Sequence, residues 1–134
     1  MSNFKKIVST ALFAFVLGLF IPLTAAAQTT DKEVTIIELI QTPGQFSTQE
    51  LDLKPGKYQF RIVNQNVDRE LGFVIQKAKD AKADVMKTAV PNSFSSKTVK
   101  AGEAAYTGVV ELKKGKYVYS CPLNPTPHYS IEVK

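Results

Sequence analysis

The sequence has only one cysteine and one histidine in 134 residues. A single cysteine cannot form an internal disulfide, which excludes a disulfide-stabilised framework. Cys121 is therefore buried and inert, bound to a metal, or paired with another molecule. No serine has a histidine at the spacing of a known catalytic motif, and no set of nucleophile, base and acid is recognisable. We therefore predict that the protein is not an enzyme.

A concentrated basic stripe is also missing, although the formal net charge is +5. Most lysines stand singly in the sequence, and the cluster at 113–116 (KKGK) is typical of a turn. Surfaces that bind nucleic acid combine clustered basic residues with aromatic side chains on which bases stack. The sequence shows no such combination, so we predict no nucleic-acid partner.

The N-terminal residues differ in character from the rest of the chain. Two lysines precede an apolar run at 7–23, and three alanines end at Ala27, directly before Gln28. This order is typical of a secretory signal peptide with its cleavage site. The alternative is an uncleaved anchor helix, since the run approaches the roughly 20 residues of a membrane span. We expect residues 1–27 to be a signal peptide. The protein is then periplasmic or secreted, with no stable membrane span after cleavage.

The remaining chain is long enough for one domain, predicted at 33–134 after a loose polar segment at 28–32. Short runs that alternate or are rich in β-branched residues are separated by turns containing glycine or proline. Strands are predicted at 33–40, 46–53, 58–63, 71–76, 96–99, 106–112, 117–120 and 129–133. This spacing is typical of an all-β sandwich. The expected core residues are Phe60, Ile62, Phe73, Ile75, Val110, Tyr117 and Tyr119.

One segment, 77–89 (KAKDAKADVMKTA), has neither glycine nor proline and is rich in helix-forming residues. Small apolar residues recur in it at helical spacing. They are Ala78, Ala81, Val85 and Ala89. The pattern predicts one short surface helix that packs a narrow stripe on the sandwich and ends before Pro91.

Two segments carry a family resemblance. The first is 53–64 (LKPGKYQFRIVN), a strand that follows a Pro-Gly turn and ends in asparagine. The second, 99–121, ends in the pattern Gly-x-Tyr-x-Tyr-x-Cys at Cys121. Both resemble the cupredoxins, the fold of the blue-copper proteins, over nearly all of 33–134. The resemblance implies a Greek-key β-sandwich, copper as the cofactor, and a redox or copper-donor protein as the partner.

The resemblance also implies candidate metal ligands. A blue-copper site needs two histidines and one cysteine in a trigonal plane, usually with a weak axial methionine. Cys121 matches the cysteine and His128 the second histidine. Leu71 stands where the first histidine is expected, and the chain has no other histidine to supply the plane. Glu70, beside Leu71, is a further candidate that would replace the missing imidazole with a carboxylate.

Two functions follow from these residues. In the first, an exported copper-associated protein binds or passes on copper, or transfers electrons in a non-standard geometry, through Cys121 and His128. In the second, the fold is a metal-free interaction module that contacts a partner through its proline-rich loop at 122–128. An apolar Leu71 would close the copper pocket, whereas Glu70 swinging inward would reopen it.

Overall fold

The computed structural model describes residues 33–124 and 126–134. The predicted signal peptide and the segment at 28–32 lie outside the described residues. Two packed β-sheets form the domain. The strands are β1 (Val34–Thr42), β2 (Gln45–Phe46), β3 (Glu50–Leu53), β4 (Gly56–Asn64), β5 (Val74–Lys77), β6 (Ala104–Tyr106), β7 (Val110–Leu112), β8 (Gly115–Ser120) and β9 (Tyr129–Val133), with one helix, α1 (Val85–Thr88). Among these residues, no helix has the length and hydropathy needed to cross a membrane.

The first sheet has the order β2-β1-β4-β6, and β7 also pairs with β4. Strands β1 and β4 run parallel, from the pair Val34 and Lys57 to the pair Gln41 and Asn64. The second sheet has the order β3-β9-β8-β5. Its central pair, β8 and β9, is antiparallel, with Tyr119 opposite Tyr129. The predicted all-β sandwich is therefore confirmed.

The core lies between the two sheets and is rich in aromatic rings. The predicted core residues are confirmed, since each of the seven is at most 7% exposed. The Phe73 ring centre lies 5.4 Å from that of Phe60, in the opposite sheet, and 5.9 Å from that of Tyr119. Phe46 meets Tyr119 edge-on at 5.3 Å. Burial of such large apolar rings supplies much of the driving force for packing the sheets together.

The predicted surface helix is present but is shorter than expected. It spans Val85–Thr88 rather than 77–89, and a single 3-10 turn at Ala78–Asp80 precedes it. The buried side chain of Gln76 donates to the carbonyl oxygens of Asp80 and Ala83. In a continuous helix these two carbonyls would accept backbone N–H groups of the helix itself. Because the Gln76 side chain binds them instead, the segment is divided into two short helical pieces. Asp84 then caps α1 by accepting the Met86 N–H.

Three predicted strands are interrupted or absent in the structure. The run at 106–112 divides into β6 and β7, because the hydroxyl of Thr107 accepts the Phe60 N–H at 3.0 Å in place of a ladder carbonyl. The segment 96–99 forms no regular strand. One isolated bridge pairs Val99 with Leu71, and the Ser96 N–H donates to the Tyr106 carbonyl at 2.8 Å. The run at 46–53 likewise appears as the separate strands β2 and β3.

Two turns of the same sequence type precede the strands that lead to the candidate site. The pattern Leu-Lys-x-Gly-Lys-Tyr occurs at 53–58 and again at 112–117. In the first, the Tyr58 hydroxyl donates to the Lys54 carbonyl at 2.6 Å, and in the second Tyr117 donates to Lys113 at 2.9 Å. Each tyrosine closes its own turn, which fixes where β4 and β8 begin.

Candidate metal centre

The candidate centre lies where the loops after β4 and β8 meet. Strand β4 ends at Asn64 and is followed by the loop 65–73, while β8 ends at Ser120, one residue before Cys121. The Gly72 N–H donates to the Cys121 sulfur at 3.3 Å, which joins the two loops directly. The predicted cysteine ligand therefore stands at the junction of both loops.

The Cys121 side chain is buried and fully engaged. It is 4% exposed, and its Sγ accepts hydrogen bonds from the backbone N–H groups of Gly72 and Asn124, the second at 3.2 Å. Its own N–H donates to the Thr126 hydroxyl at 3.1 Å. The two amide donors to the sulfur come from the two different loops and together position the sulfur between them.

Leu71 is completely buried in the loop that contacts this thiol. It precedes Gly72, the residue that donates to the sulfur, and it belongs to the same apolar cluster as Cys121. The Leu71 N–H and carbonyl exchange hydrogen bonds of 3.0 and 2.9 Å with Val99. These bonds fix the backbone of Leu71, and its aliphatic side chain has no lone pair to offer a metal.

Asn64 organises the loop that carries Leu71. Its side chain is 1% exposed, and its Oδ1 accepts the Val67 N–H at 2.9 Å. Its Nδ2 donates to the carbonyls of Val67, Arg69 and Val99 at 3.2, 3.0 and 3.0 Å. One amide side chain thus connects the end of β4, the loop after it and the segment of Val99. The sequence placed this asparagine in a family motif, but it did not reveal that the side chain holds the loop in position.

The other predicted ligands lie in different surroundings. His128 is exposed and lines a groove of about 450 Å³ with Gln45 and Glu50, and Cys121 is not part of that groove. Glu70 is exposed as well. Within the described residues, no group of three or more histidine, cysteine or acidic side chains is placed to hold a metal. The described donors therefore do not fit a blue-copper plane. Joint metal binding by Cys121 and His128 stays a prediction.

Sequence reasoning missed Gly72 and Asn124, the residues that donate to the sulfur. Backbone amides carry no residue-type signature, so only the folded chain shows them. The absence of a side chain at Gly72 allows close packing, because a Cβ there would lie 3.4 Å from the ring of Pro122 and 3.5 Å from Leu123. The tight packing of the cysteine loop on Gly72 brings its N–H within reach of the sulfur.

The surface beside the buried thiol is apolar. A groove of about 410 Å³ lies there, and its lining includes Met86, Phe94, Lys97, Pro122 and Leu123. Met86 is 76% exposed and Leu123 is 50% exposed, which is unusual for large apolar side chains. The proline-rich loop therefore contributes an exposed apolar edge directly next to Cys121.

Tyr119 lies below the site as a neutral hydrogen-bond donor. Burial raises the pKa of Tyr119 far above its usual range, and the neighbouring Tyr129 raises this pKa further. The Tyr119 hydroxyl donates to the Thr48 carbonyl across the sheet edge. This tyrosine supports the packing under the cysteine loop.

No family model and no curated protein sequence matches this chain. Solved structures with a similar backbone include auracyanin A, a "blue" copper protein from Chloroflexus aurantiacus, at TM-score 0.60 and 16% identity over 76% of this chain and 100% of that one. An auracyanin from Roseiflexus castenholzii has TM-score 0.56 and 15% identity, covering 75% and 97%. An azurin from Methylomonas sp. strain J has TM-score 0.55 and 13% identity, covering 75% and 98%. The chain therefore has the cupredoxin fold.

Proposed function

We propose that this chain is an exported, non-enzymatic protein of cupredoxin fold that has no blue-copper centre and binds a protein partner through its 122–128 loop. The observation that carries the proposal is Leu71. Its side chain is fully buried, one residue before the Gly72 N–H that donates to the Cys121 sulfur, and its backbone is hydrogen-bonded to Val99. Leu71 offers no donor at the position where the resemblance expects the first histidine, and the exposure of Glu70 supports the proposal that no carboxylate takes its place.

The loop supports a role in protein binding. Pro122 and Leu123 are exposed and form one side of the apolar groove, with Lys97 also in its lining. Proline fixes φ, so the loop has less conformational entropy to lose when a partner binds. We expect the partner to place an apolar side chain against Leu123 and a carboxylate near Lys97.

A second candidate function is Cu(I) binding by Cys121 with His128. The observation that favours it is the position of the sulfur directly after β8, where the resemblance places a cysteine ligand and where two backbone amides hold it. Thiolates favour Cu(I), and this ion accepts fewer ligands than the blue-copper plane requires.

The blue-copper part of the proposal is tested by metal analysis and visible absorption of the mature protein after Cu(II) loading. We expect weak or absent blue absorption, because the plane lacks one imidazole. Leu71→His should shift the spectrum toward blue copper, whereas the control Leu51→His, half-buried on β3, should not. An intense blue band in the unmodified monomer would show that the proposal is wrong.

The two candidate functions are separated by Cu(I) titration. If Cu(I) is a ligand, Cys121→Ser abolishes its binding and His128→Ala weakens it. Equal Cu(I) affinity in the wild type and Cys121→Ser would favour the metal-free module and reject Cu(I) binding at this loop.

The partner surface is tested with a photo-crosslinking amino acid at Leu123 in the exporting cell. The control position is Ile36, 58% exposed on β1 and outside the lining of the apolar groove. We expect one defined product from position 123, identifiable by mass spectrometry, and none from position 36. The same pattern of products at both positions would contradict a dedicated surface at the loop.

A further inference from the structure

We propose that a basic groove at the other end of the sandwich binds an acidic segment of a protein partner. Strand β8 begins at Gly115 in this groove and ends at Ser120, one residue before Cys121. Most of the groove therefore lies at the opposite end of β8 from the apolar surface. The two grooves adjoin at α1, where Lys87 lines the basic groove and Met86 lines the apolar one. The proposal does not depend on whether Cys121 or Leu123 has a function.

The groove brings together lysines that lie in separate segments of the sequence. Its volume is about 820 Å³, and it lies between the segment 77–91 and the turn 111–117. Six lysines and two carboxylates line it. They are Lys77, Lys79, Lys87, Lys113, Lys114, Lys116, Asp80 and Glu111. In residues 33–124 and 126–134, ion pairs involve only Arg61 and Lys134 as the cations, so the groove lysines are available to an incoming anion.

One wall of the groove is held in place by a buried amide. The Gln76 side chain is fully buried, and its Nε2 donates to the carbonyls of Asp80 and Ala83 and to the Thr88 hydroxyl, at 3.0, 3.3 and 2.8 Å. The Val90 N–H donates to the Ile75 carbonyl at 2.7 Å. The backbone that carries the first three lysines is thus fixed to β5.

The opposite wall is fixed by the turn before β8. The Tyr117 hydroxyl donates to the Lys113 carbonyl at 2.9 Å, and Lys77 is directly opposite Tyr117 in the pairing of β5 with β8. This pairing places the lysines of both walls around one groove. A charged surface with a fixed backbone loses less entropy on binding than a flexible tail of equal charge.

The lining favours an acidic peptide over other anions. Ala89, Val90 and Pro91 contribute apolar surface between the lysines, which suits a chain of mixed acidic and apolar side chains. Asp80 and Glu111 would repel a uniformly charged polymer. Single-stranded nucleic acid is bound in part by stacking of its bases on exposed aromatic rings, and Tyr117, the aromatic residue of the lining, is only 7% exposed. A planar lipid surface would not fill a groove between two walls.

Fluorescence anisotropy with a labelled peptide of alternating glutamate and valine tests the proposal. The double variant Lys87→Glu/Lys113→Glu reverses one lysine on each wall. The matched control Lys54→Glu/Lys100→Glu makes the same change in net charge at exposed lysines outside the groove. We expect the groove variant to weaken binding about tenfold or more and the control less than about twofold. Added salt should weaken binding by the wild type.

Three outcomes would overturn the proposal. One is an equal loss of affinity in both double variants, which would show that only net charge matters. Another is equal binding of a peptide with glutamine in place of glutamate. The third is preferential binding of phosphatidylglycerol vesicles or heparin that depends on the same lysines. Thermal unfolding checks that each variant folds, and Lys87→Gln/Lys113→Gln provides a milder pair if charge reversal prevents folding.

Discussion

Replacement of Asn64 tests how the candidate site is built. Its buried side chain accepts the Val67 N–H and donates to the carbonyls of Val67, Arg69 and Val99. Asn64→Ala removes all of these hydrogen bonds at once. The Val99 carbonyl keeps its bond from the Leu71 N–H, so the loss concentrates in the loop that follows β4.

The size of the stability loss follows from the polar groups that the substitution leaves without a hydrogen-bond partner. An unsatisfied buried donor costs about 1–3 kcal/mol, which applies to the Val67 N–H. The lost bonds to the Val67 and Arg69 carbonyls add about 0.5–1.5 kcal/mol each. Part of this cost is recovered where water reaches the loop. We therefore expect Asn64→Ala to lower the free energy of unfolding by about 2–4 kcal/mol.

Urea denaturation followed by tyrosine fluorescence measures this loss. The control Gln65→Ala, exposed and next in sequence, should stay within about 0.5 kcal/mol of the wild type. Asn64→Asp sharpens the test, because its carboxylate would face three carbonyl oxygens. Repulsion raises the pKa of that carboxyl in the folded state, so the variant should regain stability as the pH falls. If Asn64→Ala lowers the free energy of unfolding by less than about 1 kcal/mol, the Asn64 side chain does not hold the loop in position.

Four further predictions concern the packing of the core, the pH dependence of stability, a buried polar side chain and cleavage of the signal peptide. Phe60→Ala should cost about 3–5 kcal/mol in a denaturant titration, since the ring is fully buried against Phe73; a loss below about 1 kcal/mol would contradict the packing. Burial raises the pKa of Tyr119, so its contribution to stability is complete below the unfolded value of about 10 and is lost as the pH rises above it. Tyr119→Phe should reduce this alkaline loss of stability, and an unchanged pH profile would exclude Tyr119 as its source. Gln41 is fully buried, and neither of its side-chain polar atoms is bonded to another described group. Gln41→Met should therefore stabilise the domain by about 1–2 kcal/mol, and a lower urea midpoint would contradict this prediction. N-terminal sequencing of exported protein should begin at Gln28, and a full-length membrane-bound species would overturn the assigned export.

Helix 77–89 shows how tertiary contacts change a correct local prediction. Its composition correctly indicated helical backbone, but the predicted length was too long. The Gln76 side chain captures two carbonyls of this segment, and Asp84 caps a new helix in its middle. The division of 106–112 has a similar origin, since the Thr107 hydroxyl enters the ladder. Gln76 and Phe60, the partners in these contacts, lie outside the segments that they divide, so neither segment shows the contact by itself.

The sequence by itself determined the sandwich and its core, because period-2 alternation specifies which side chains of each strand face inward. It also determined the shortage of histidine, which no fold can change. Only the tertiary structure decided the surroundings of each candidate residue. It buried Cys121 between two amides and left His128 on a separate groove. It also gathered lysines from 77–87 and 113–116 around one groove. The physical reason is that side-chain direction along a strand is a local property, whereas the meeting of loops and turns depends on strand order.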